Sequence, residues 1–441
     1  MIGGRLRHTK SRTGDIDMAQ APPRAGRAQS NRAALRAIDA IDPMKLRTGV
    51  PLWLAYGTRA PAATPLGTSL NVDVAVIGGG ISGALVTDAL LQAGLSVAVF
   101  DRVGFVRGST PASTAMLQFE IDQPLTLLRH RIGPARAARA WWRSASGVTR
   151  LHSRIADLGL RCDFRERHTA YLPGNVLDFA DLRSEAAARE RIGLRSILID
   201  RATLKRFTGI DKPGAIWSAG SAEVDPAKLA RGLWRSAAQR GAMLHAPVDI
   251  IDIAPGRRRV TLSTDTDHSI SARSVVLATG YALTKLLKPR GYRVISTWAM
   301  ATAPQSEALW PSRCLIWEAS DPYLYCRTTR DGRVVAGGED EAFEDEAKRD
   351  ALIPAKMARI GRKLKRLLPK LDTAPDYAWA GCFGESAIGL PAIGEVPGAP
   401  RCYAVMGFGG NGITFSAIAA EIIQRAILGL PDPDTDLFRF G

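Results

Sequence analysis

The sequence predicts an α/β fold built on a parallel sheet with flanking helices, and three stretches carry this prediction. In residues 71–101, an apolar run of strand character is followed by a glycine-rich turn, a helix-forming segment and a second short apolar run. Residues 274–278 have the pattern of a buried strand, and a late strand at 403–405 runs into another glycine-rich turn. Strands that alternate with helices in this way are typical of a parallel sheet.

The turn after the first strand has the spacing G-x-G-x-x-G. Gly78 permits a tight turn, Gly80 has no side chain to keep a pyrophosphate from the backbone, and Gly83 lets the helix pack closely on the strand. The free N–H groups and the dipole of the helix attract phosphate. Asp101 closes the second strand, where a carboxylate accepts hydrogen bonds from an adenosine ribose. The unit therefore predicts a dinucleotide site, and Asp101 argues against a nucleotide with a 2′-phosphate.

The length and charge of the chain bound the remaining possibilities. A chain of 441 residues is long enough for a large core divided between two domains. The formal net charge of +16 is compatible with an anionic partner such as nucleic acid or a membrane surface. The basic residues, however, mostly stand singly among Ala and Leu, without the interleaved aromatic residues that stack on bases. We therefore interpret the charge as arginine spread over solvated surfaces.

Cysteine and histidine usage argues against a metal site. The five cysteines are scattered without a C-x-x-C pair, and the six histidines show no ligand spacing. Reduced thiols in a cytoplasmic protein are the expected state. The apolar stretch around residues 74–100 contains several glycines and polar residues, which favours a buried βαβ unit over a membrane span.

Residues 1–43 differ in composition from the rest of the chain. They are rich in Arg, Ala, Pro and Gly, and they lack the apolar core of a secretory signal. We expect a disordered basic tail, or a true start at Met44. A transit-type peptide is the alternative, although four aspartates count against it.

Several further elements are legible from the pattern. Residues 134–158 read as a helix with Pro134 near its first turn, and Asp225 is the expected N-cap of another helix. A hairpin turn is predicted at 330–332. Residues 351–371 have an apolar helical face opposite a basic one, which fits either a core-packed helix or a membrane-surface helix, and core packing is the more common outcome.

In this order, the segments resemble the FAD-dependent oxidoreductases of the D-amino-acid-oxidase-like superfamily, which includes glycine oxidase, sarcosine oxidase and γ-glutamylputrescine oxidase. The resemblance covers about residues 45–430. The matching segments are Gly78–Gly83 with Asp101, the loop Gly108–Thr114, Val224–Pro226, Val275–Gly280, the strand Tyr323–Thr328 with Gly337-Gly338, Gly389–Gly394 and the turn Gly407–Gly412.

The resemblance implies a Rossmann-like FAD-binding domain with an interleaved antiparallel-sheet substrate domain, and therefore an α+β character in the second domain. The expected FAD-binding domain is discontinuous and comprises residues 44–125, 214–285 and 379–441. The expected substrate domain comprises residues 126–213 and 286–378.

The resemblance also implies FAD bound in an extended form. The first glycine turn and Asp101 would hold the pyrophosphate and the ribose, the hydroxyl-rich loop would lie by the flavin, and the late glycine turn would face the flavin edge. The implied cofactor residues are Gly78, Gly80, Ile81, Ser82, Gly83, Asp101, Arg102, Ser109, Ser113, Thr114, Val248, Thr279, Gly280, Gly409, Gly410, Asn411, Gly412 and Ile413.

The implied reaction is hydride transfer from a carbon bearing an amine to flavin N5, after which the imine hydrolyses. Relatives that oxidise amino acids carry an arginine for the substrate carboxylate, and Phe383 occupies its place in this chain. Arg327 is the candidate substitute, against the alternative of a structural arginine. The same count places the flavin-linked cysteine of some relatives at Gly381, so the neighbouring Cys382 is expected to be a buried thiol and the FAD non-covalent.

Other substrate contacts are weighed against ordinary structural roles. Trp298, Tyr323 and Tyr325 are candidates to line an aromatic substrate pocket, or they are strand packing residues. Glu120 and Asp122 are candidates to bind a cationic amine, or they are solvated or salt-bridged acids.

The expected partners are a small amine or amino-acid substrate and an electron acceptor, either oxygen or another oxidant. Two other functions remain open from the sequence. The first is an FAD-dependent dehydrogenase of a 2-hydroxy acid or polyol. The second is an RNA-associated flavoprotein that modifies tRNA, which the absence of a basic block with interleaved aromatic residues disfavours.

Overall fold

The computed structural model describes residues 45–57, 61–282, 287 and 291–440. The basic tail expected at residues 1–43 lies outside the described residues. Two β-sheets organise the described chain, one of eight strands and one of ten. The predicted α/β class with a Rossmann-like parallel sheet and a second, antiparallel sheet is confirmed.

The eight-stranded sheet has a parallel centre. Strand β2 (Leu70–Ile77) pairs with β3 (Val97–Phe100) on one side and with β11 (Ser269–Leu277) on the other. Strand β8 (Met243–His245) extends the sheet beyond β3, and β18 (Cys402–Met406) extends it beyond β11. The antiparallel strands of this sheet are β9 (Ile250–Pro255), β10 (Val260–Thr264) and β17 (Ala392–Glu395).

Three helices pack beside the parallel strands. Helix α2 (Ile81–Gln92) joins β2 to β3, and it contacts both α7 (Pro226–Gln239) and α10 (Gly412–Ile427). Asp225 caps α7 as expected, because its carboxylate accepts hydrogen bonds from the N–H groups of Ala227 and Lys228, each at 2.9 Å. The N-termini of α2 and α10 are both preceded by glycine turns.

The ten-stranded sheet is antiparallel except where β5 runs parallel to β13. Because its strands come from both early and late parts of the chain, it is interleaved with the first sheet. Its strands are β1 (Arg47–Gly49), β4 (Met116–Leu117), β5 (Arg165–Leu172), β6 (Ser196–Asp200), β7 (Gly214–Glu223), β12 (Arg293–Thr302), β13 (Leu315–Glu318), β14 (Leu324–Thr328), β15 (Val334–Glu341) and β16 (Pro375–Glu385).

The remaining helices cover the second sheet and the ends of the chain. They are α1 (Leu52–Ala55), α3 (Leu125–Ile132), α4 (Pro134–Asp157), α5 (Phe179–Arg191), α6 (Arg201–Thr208), α8 (Glu346–Ala351), α9 (Ile353–Leu367) and α11 (Thr435–Phe438). The single helical stretch expected at 351–371 is divided between α8 and α9. The apolar face of α9 buries Met357, Ile360 and Leu364 against the ten-stranded sheet, which is the core-packed alternative.

In the described part of the chain, no helix combines the length and the apolar character that crossing a bilayer requires.

A cluster of buried charged residues joins helix α5 to the start of α3 and to Glu120 in the preceding loop. Arg189 on α5 is fully buried, and its Nε donates to Glu185 at 2.8 Å. Glu185 in turn accepts from the backbone N–H groups of Leu125 and Thr126 at the start of α3. Burial acts to raise the pKa of Glu185, but the Arg189 charge and the Thr126 hydrogen bonds hold that pKa below its usual value. Glu120 completes the cluster, 3.8 Å from Arg189.

Replacing Glu185 with alanine is expected to destabilise the protein strongly, because it leaves the buried Arg189 guanidinium with only its more distant acid. Breaking one partner of a buried pair typically costs about 3–5 kcal/mol. The free energy of unfolding from urea titration would measure the loss. The matched control is Glu190→Ala on the same helix, where the side chain is exposed, and a change within about 0.5 kcal/mol is expected. Equal stability of the two variants would contradict this account of the cluster.

Candidate functional site

Three adjoining chambers form one cleft between the two sheets. The first chamber, of about 1210 Å³, lies at the G-x-G-x-x-G turn. The central chamber, of about 1080 Å³, shares Ile81, Ser82, Ser109, Thr110 and Gly280 with it. The outer chamber, of about 1330 Å³, meets the central chamber at a neck formed by Asp122, Trp317, Tyr323 and Phe383. An elongated ligand therefore fits along the cleft without a break.

The glycines of the first turn divide into two structural roles. Gly78 has a φ of +118°, and a Cβ there would lie 2.3 Å from the carbonyl oxygen of Ala278. Gly83 packs against the turn, since its Cβ would lie 2.0 Å from the Gly78 oxygen, and it does not line the cleft. Gly80 faces the first chamber, where the nearest atom to an added Cβ is the Thr110 hydroxyl oxygen at 3.2 Å. Gly80 thus leaves room beside the backbone for a ligand.

Asp101 organises the wall of the first chamber. Its Oδ2 accepts from the N–H of Gly79 at 2.7 Å, and its Oδ1 accepts from Val103 and Gly104 at 2.9 and 2.7 Å. These bonds link the glycine turn to the end of β3. The carboxylate also lines the first chamber. Asp101 therefore both holds the glycine turn and faces the space that a ligand would occupy.

Arginines from distant parts of the chain line the same chamber. Arg47 comes from β1, while Arg102 and Arg107 follow β3. The Arg47 Nε donates to the carbonyl oxygen of Gly108 at 3.2 Å, which directs this side chain to the chamber edge. Burial, and then the neighbouring charge of Arg107, lower the pKa of Arg47. Such a concentration of positive charge favours a phosphate-bearing ligand.

The hydroxyl-rich loop runs between the first and central chambers. Two indoles anchor its backbone: Trp53 donates to the oxygen of Ser113 at 2.7 Å, and Trp379 donates to the oxygen of Ala112 at 2.8 Å. The Thr110 hydroxyl accepts from the N–H of Ile81 at 3.0 Å and so joins the loop to the start of α2. The loop residues that line both chambers, Ser109 and Thr110, have small side chains.

The late glycine turn closes the far wall of the central chamber at the N-terminus of α10. Asn411 donates from its side-chain amide to the carbonyl oxygen of Glu120 at 2.6 Å. Asp122 accepts from the N–H of Gly410 at 2.6 Å. Every residue that the resemblance implied for the cofactor lines the first or the central chamber, except Gly83.

Asp122 is the only charged side chain among the described residues that line the central chamber. Its side chain is exposed to the cavity and packs against the turn at Gly410. Desolvation by the protein around it raises its pKa to about 6; the Gly410 N–H acts in the opposite direction, and the charges of Glu385 and Asp340 add to the rise. Glu120, the other acid considered from the sequence, accepts bonds from the hydroxyls of Thr169 and Ser221 and belongs to the buried cluster.

The aromatic and arginine candidates separate by position. Tyr325 lines the central chamber, as does Tyr323. Trp298 does not, because successive side chains on a strand point to opposite faces and Thr297 takes the cavity side. The Trp298 indole instead donates to the oxygen of Arg349 at 3.0 Å on the far face, under α9.

Arg327 also lies away from the central chamber. Its side chain lies on the same strand face as those of Tyr323 and Tyr325, two residues beyond Tyr325 in β14. Its guanidinium donates to the carbonyl oxygens of Thr114 and Val224 at 2.6 and 2.7 Å. With these bonds and 2% exposure, Arg327 occupies a structural position, and the structure does not bring it to the place expected for a substrate carboxylate.

Phe383 stands in the neck between the central and outer chambers. An apolar ring therefore occupies the position where the resemblance led us to look for an arginine. The neighbouring Cys382 is buried, and its Sγ lies 3.7 Å from the carbonyl oxygen of Leu46. Burial raises the pKa of Cys382 to about 11, so the thiol form prevails at neutral pH.

Sequence patterns did not reveal several lining residues. Arg47 and Arg107 had no motif to mark them, and Trp317 lies in a short strand far from the glycine turns. Tyr281 and Phe408 offered a signal, because Tyr281 directly follows one segment of the resemblance and Phe408 lies inside another. Both line the central chamber, with ring centroids 6.2 Å apart.

Comparison with known proteins assigns this architecture to a family. Residues 73–426 match the family described as DAO, FAD dependent oxidoreductase. The match spans both glycine turns and all the described lining residues of the three chambers except Lys45, Leu46 and Arg47.

Individual relatives are distant in sequence but similar over most of their length. A probable oxidoreductase, OrdL, of Haemophilus influenzae is 25% identical over 83% of this chain and 85% of its own. The γ-glutamylputrescine oxidoreductase of Escherichia coli is 23% identical over 85% of this chain and 88% of its own. The solved glycine oxidase of Geobacillus kaustophilus has a TM-score of 0.70 at 19% identity, covering 85% of this chain and 99% of that protein. This last likeness shows a shared fold.

Gly80→Val is expected to lower the affinity for FAD by about 10- to 100-fold, because overpacking of this kind costs about 1–3 kcal/mol. The backbone φ of −83° tolerates a side chain, so the fold should persist. FAD fluorescence titration would measure the affinity, and circular dichroism the fold. Gly67→Val is the matched control, since Gly67 is exposed with open space around it. Unchanged FAD affinity in Gly80→Val would show that the cofactor does not pass this glycine.

Proposed function

The chain belongs to the DAO family of FAD-dependent oxidoreductases, and we propose that it oxidises a C–N bond of an amine that needs no carboxylate for recognition. The observation that carries the proposal is the charge of the central chamber. Among its described lining residues, Asp122 is the only charged one. A carboxylate attracts a cationic amine and repels an anionic substrate.

The residues of the cleft fit FAD in an extended form. Gly80, which faces the first chamber without a side chain, and the arginines of that chamber suit the pyrophosphate, and Asp101 suits the ribose. The first helical N–H groups of α10 suit the flavin end, because a helix N-terminus favours negative charge. Bound FAD supplies the acceptor for a hydride, and an external oxidant, oxygen or another acceptor, restores it.

In this proposal, Asp122 binds and orients the reacting amine. Its carboxylate pairs with the ammonium group and accepts the proton that the nitrogen must lose before oxidation. Loss of that proton from the ammonium, followed by loss of a hydride from the adjacent carbon to the flavin, gives an iminium ion. Water hydrolyses the iminium ion to a carbonyl compound and to ammonia or, for a secondary amine, a released amine. The raised pKa of Asp122, about 6, brings it closer to that of the amine and makes it a better proton acceptor.

Aromatic side chains shape the space around this carboxylate. Tyr323 and Tyr325 lie with ring centroids 5.6 Å apart, and Trp317 stacks on Tyr171 at 3.9 Å. These rings and Phe383 limit water around the reacting carbon and offer π faces to a cation. A 2-hydroxy acid, in contrast, would need a cation for its carboxylate, and Arg327 is held by backbone oxygens.

An anaerobic screen tests the reaction class. Primary and secondary amines are expected to bleach the oxidised flavin absorbance, whereas 2-hydroxy acids and polyols are expected to leave it unchanged. The purified protein should be yellow, and acid or heat should release the flavin, because the described cysteine in the central chamber is a buried thiol. Bleaching by hydroxy acids but not by amines would overturn the proposal.

The pH profile tests Asp122. For a monoamine, kcat/KM is expected to fall as pH drops below about 6, since protonation removes the negative charge that binds the ammonium. The groups that act on this carboxylate are the Gly410 N–H, Glu385 and Asp340. Asp122→Asn should lower kcat/KM by about 10- to 100-fold, the value of a charge-assisted hydrogen bond, and should flatten the acidic limb. An acidic limb that persists unchanged in Asp122→Asn would assign it to another group.

A further inference from the structure

The outer chamber adjoins the central chamber. The two share the neck at Asp122, Trp317, Tyr323 and Phe383. A substrate whose reacting end lies at Asp122 therefore extends its other end into the outer chamber. The charged residues of the outer chamber therefore determine which chemical group is favoured at the distal end of the substrate.

Carboxylates dominate the outer chamber. Among the described residues that line it, Arg293 is the one cation, and it is paired with Glu385 at 3.1 Å. Two other acids are also neutralised locally: Glu318 pairs with Lys212 at 2.9 Å, and Glu341 pairs with Lys356 at 2.7 Å. The acids that line the chamber without an ion pair to a described residue are Asp122, Asp321 and Asp340.

Asp340 is the least satisfied of these acids. Both of its carboxylate oxygens are buried, and neither makes a hydrogen bond of normal geometry within the described structure. Burial raises its pKa to about 6; the nearby hydroxyls of Thr297 and Tyr323 and then the Lys356 charge act to lower it, while Asp321 raises it further. A buried carboxylate with so little compensation is costly unless a cation pairs with it.

We propose that the outer chamber binds a second cationic group of the substrate, so that the enzyme acts on diamines or longer polyamines. Asp340 would pair with the distal ammonium, while Asp122 holds the reacting nitrogen. The proposal rests on the proposed amine oxidation and names its substrate class. It follows from the carboxylates of Asp122 at the neck and Asp340 in the outer chamber. Because Arg293 is already paired with Glu385, a substrate with a carboxylate at its distal end would find no ready partner among the described residues of this chamber.

The binding experiment uses three four-carbon amines that differ in the distal group: 1,4-diaminobutane, n-butylamine and 4-aminobutanoate. Anaerobic titration calorimetry on the flavin-reduced holoenzyme measures affinity without turnover. The diamine is expected to bind at least about tenfold more tightly than the monoamine, and 4-aminobutanoate more weakly than either. Equal affinity for the diamine and the monoamine would overturn the proposal, as would preference for 4-aminobutanoate. The same titrations with three- and five-carbon diamines extend the test to the spacing.

Asp340→Asn is expected to weaken diamine binding about tenfold and to leave monoamine binding unchanged. Glu318→Gln is the matched control, because its carboxylate lines the same chamber but pairs with Lys212. It should change neither affinity. Retained monoamine binding shows that the Asp340→Asn variant is folded. Equal weakening of both ligands in Asp340→Asn would make Asp340 a structural residue and overturn the proposal.

Failure of the proposed reaction is separately visible. Anaerobic mixing of the oxidised holoenzyme with the diamine reports flavin reduction. Selective, Asp340-dependent diamine binding without flavin reduction would support the outer-chamber proposal and overturn C–N oxidation. Flavin reduction at equal rates by the diamine and the monoamine, with equal affinities, would support C–N oxidation and overturn the outer-chamber proposal.

Discussion

The cleft depends on the segment from Gln118 to Asp122, because this segment joins the ten-stranded sheet to helix α10, which packs beside the eight-stranded sheet. Its backbone oxygens at 118 and 120 accept bonds from Thr414 and Asn411 of the α10 region, at 3.0 and 2.6 Å. The Glu120 side chain is held from the other direction by hydroxyls of the ten-stranded sheet and lies near Arg189. Anchored at 118 and 120, the segment places Asp122 where its carboxylate accepts from the N–H of Gly410 and lines both the central and the outer chamber.

The electrostatics of the cleft are set locally rather than by the overall charge. The whole sequence carries +16, yet the described walls of the central and outer chambers are acidic, and the arginines lie at the first chamber. Positive charge at one end and negative charge at the other suit a cofactor with phosphates and a substrate with amines. Because charges interact most strongly over short distances and solvent and salt screen the distant ones, these local groups outweigh the solvated surface arginines.

Patterns that depend on neighbouring residues predicted the structure well. The βαβ unit, the Asp225 cap and the helix beginning at Pro134 all depend on local periodicity and capping, and all are present. Arg327 and Trp298 show the limit. The sequence predicted that each of the two residues lies in a β-strand. It did not predict which carbonyl oxygens Arg327 binds or which face of the sheet Trp298 occupies. The structure engages Arg327 with two carbonyl oxygens and turns Trp298 to the far face.

The sequence by itself determined the fold class, a dinucleotide site and the two glycine turns, because close backbone approach to a phosphate demands glycine at set spacings along one short segment. The identity of the dinucleotide as FAD came from the resemblance of the ordered segments to a family. Only the tertiary structure decided the character of the substrate space. Asp122, Phe383 and Asp340 are far apart in the chain, and no spacing rule connects them. The interleaved sheets bring a loop and β16 to the neck and β15 to the adjoining outer chamber. There the absence of a described pairing cation makes the two carboxylates chemically distinctive.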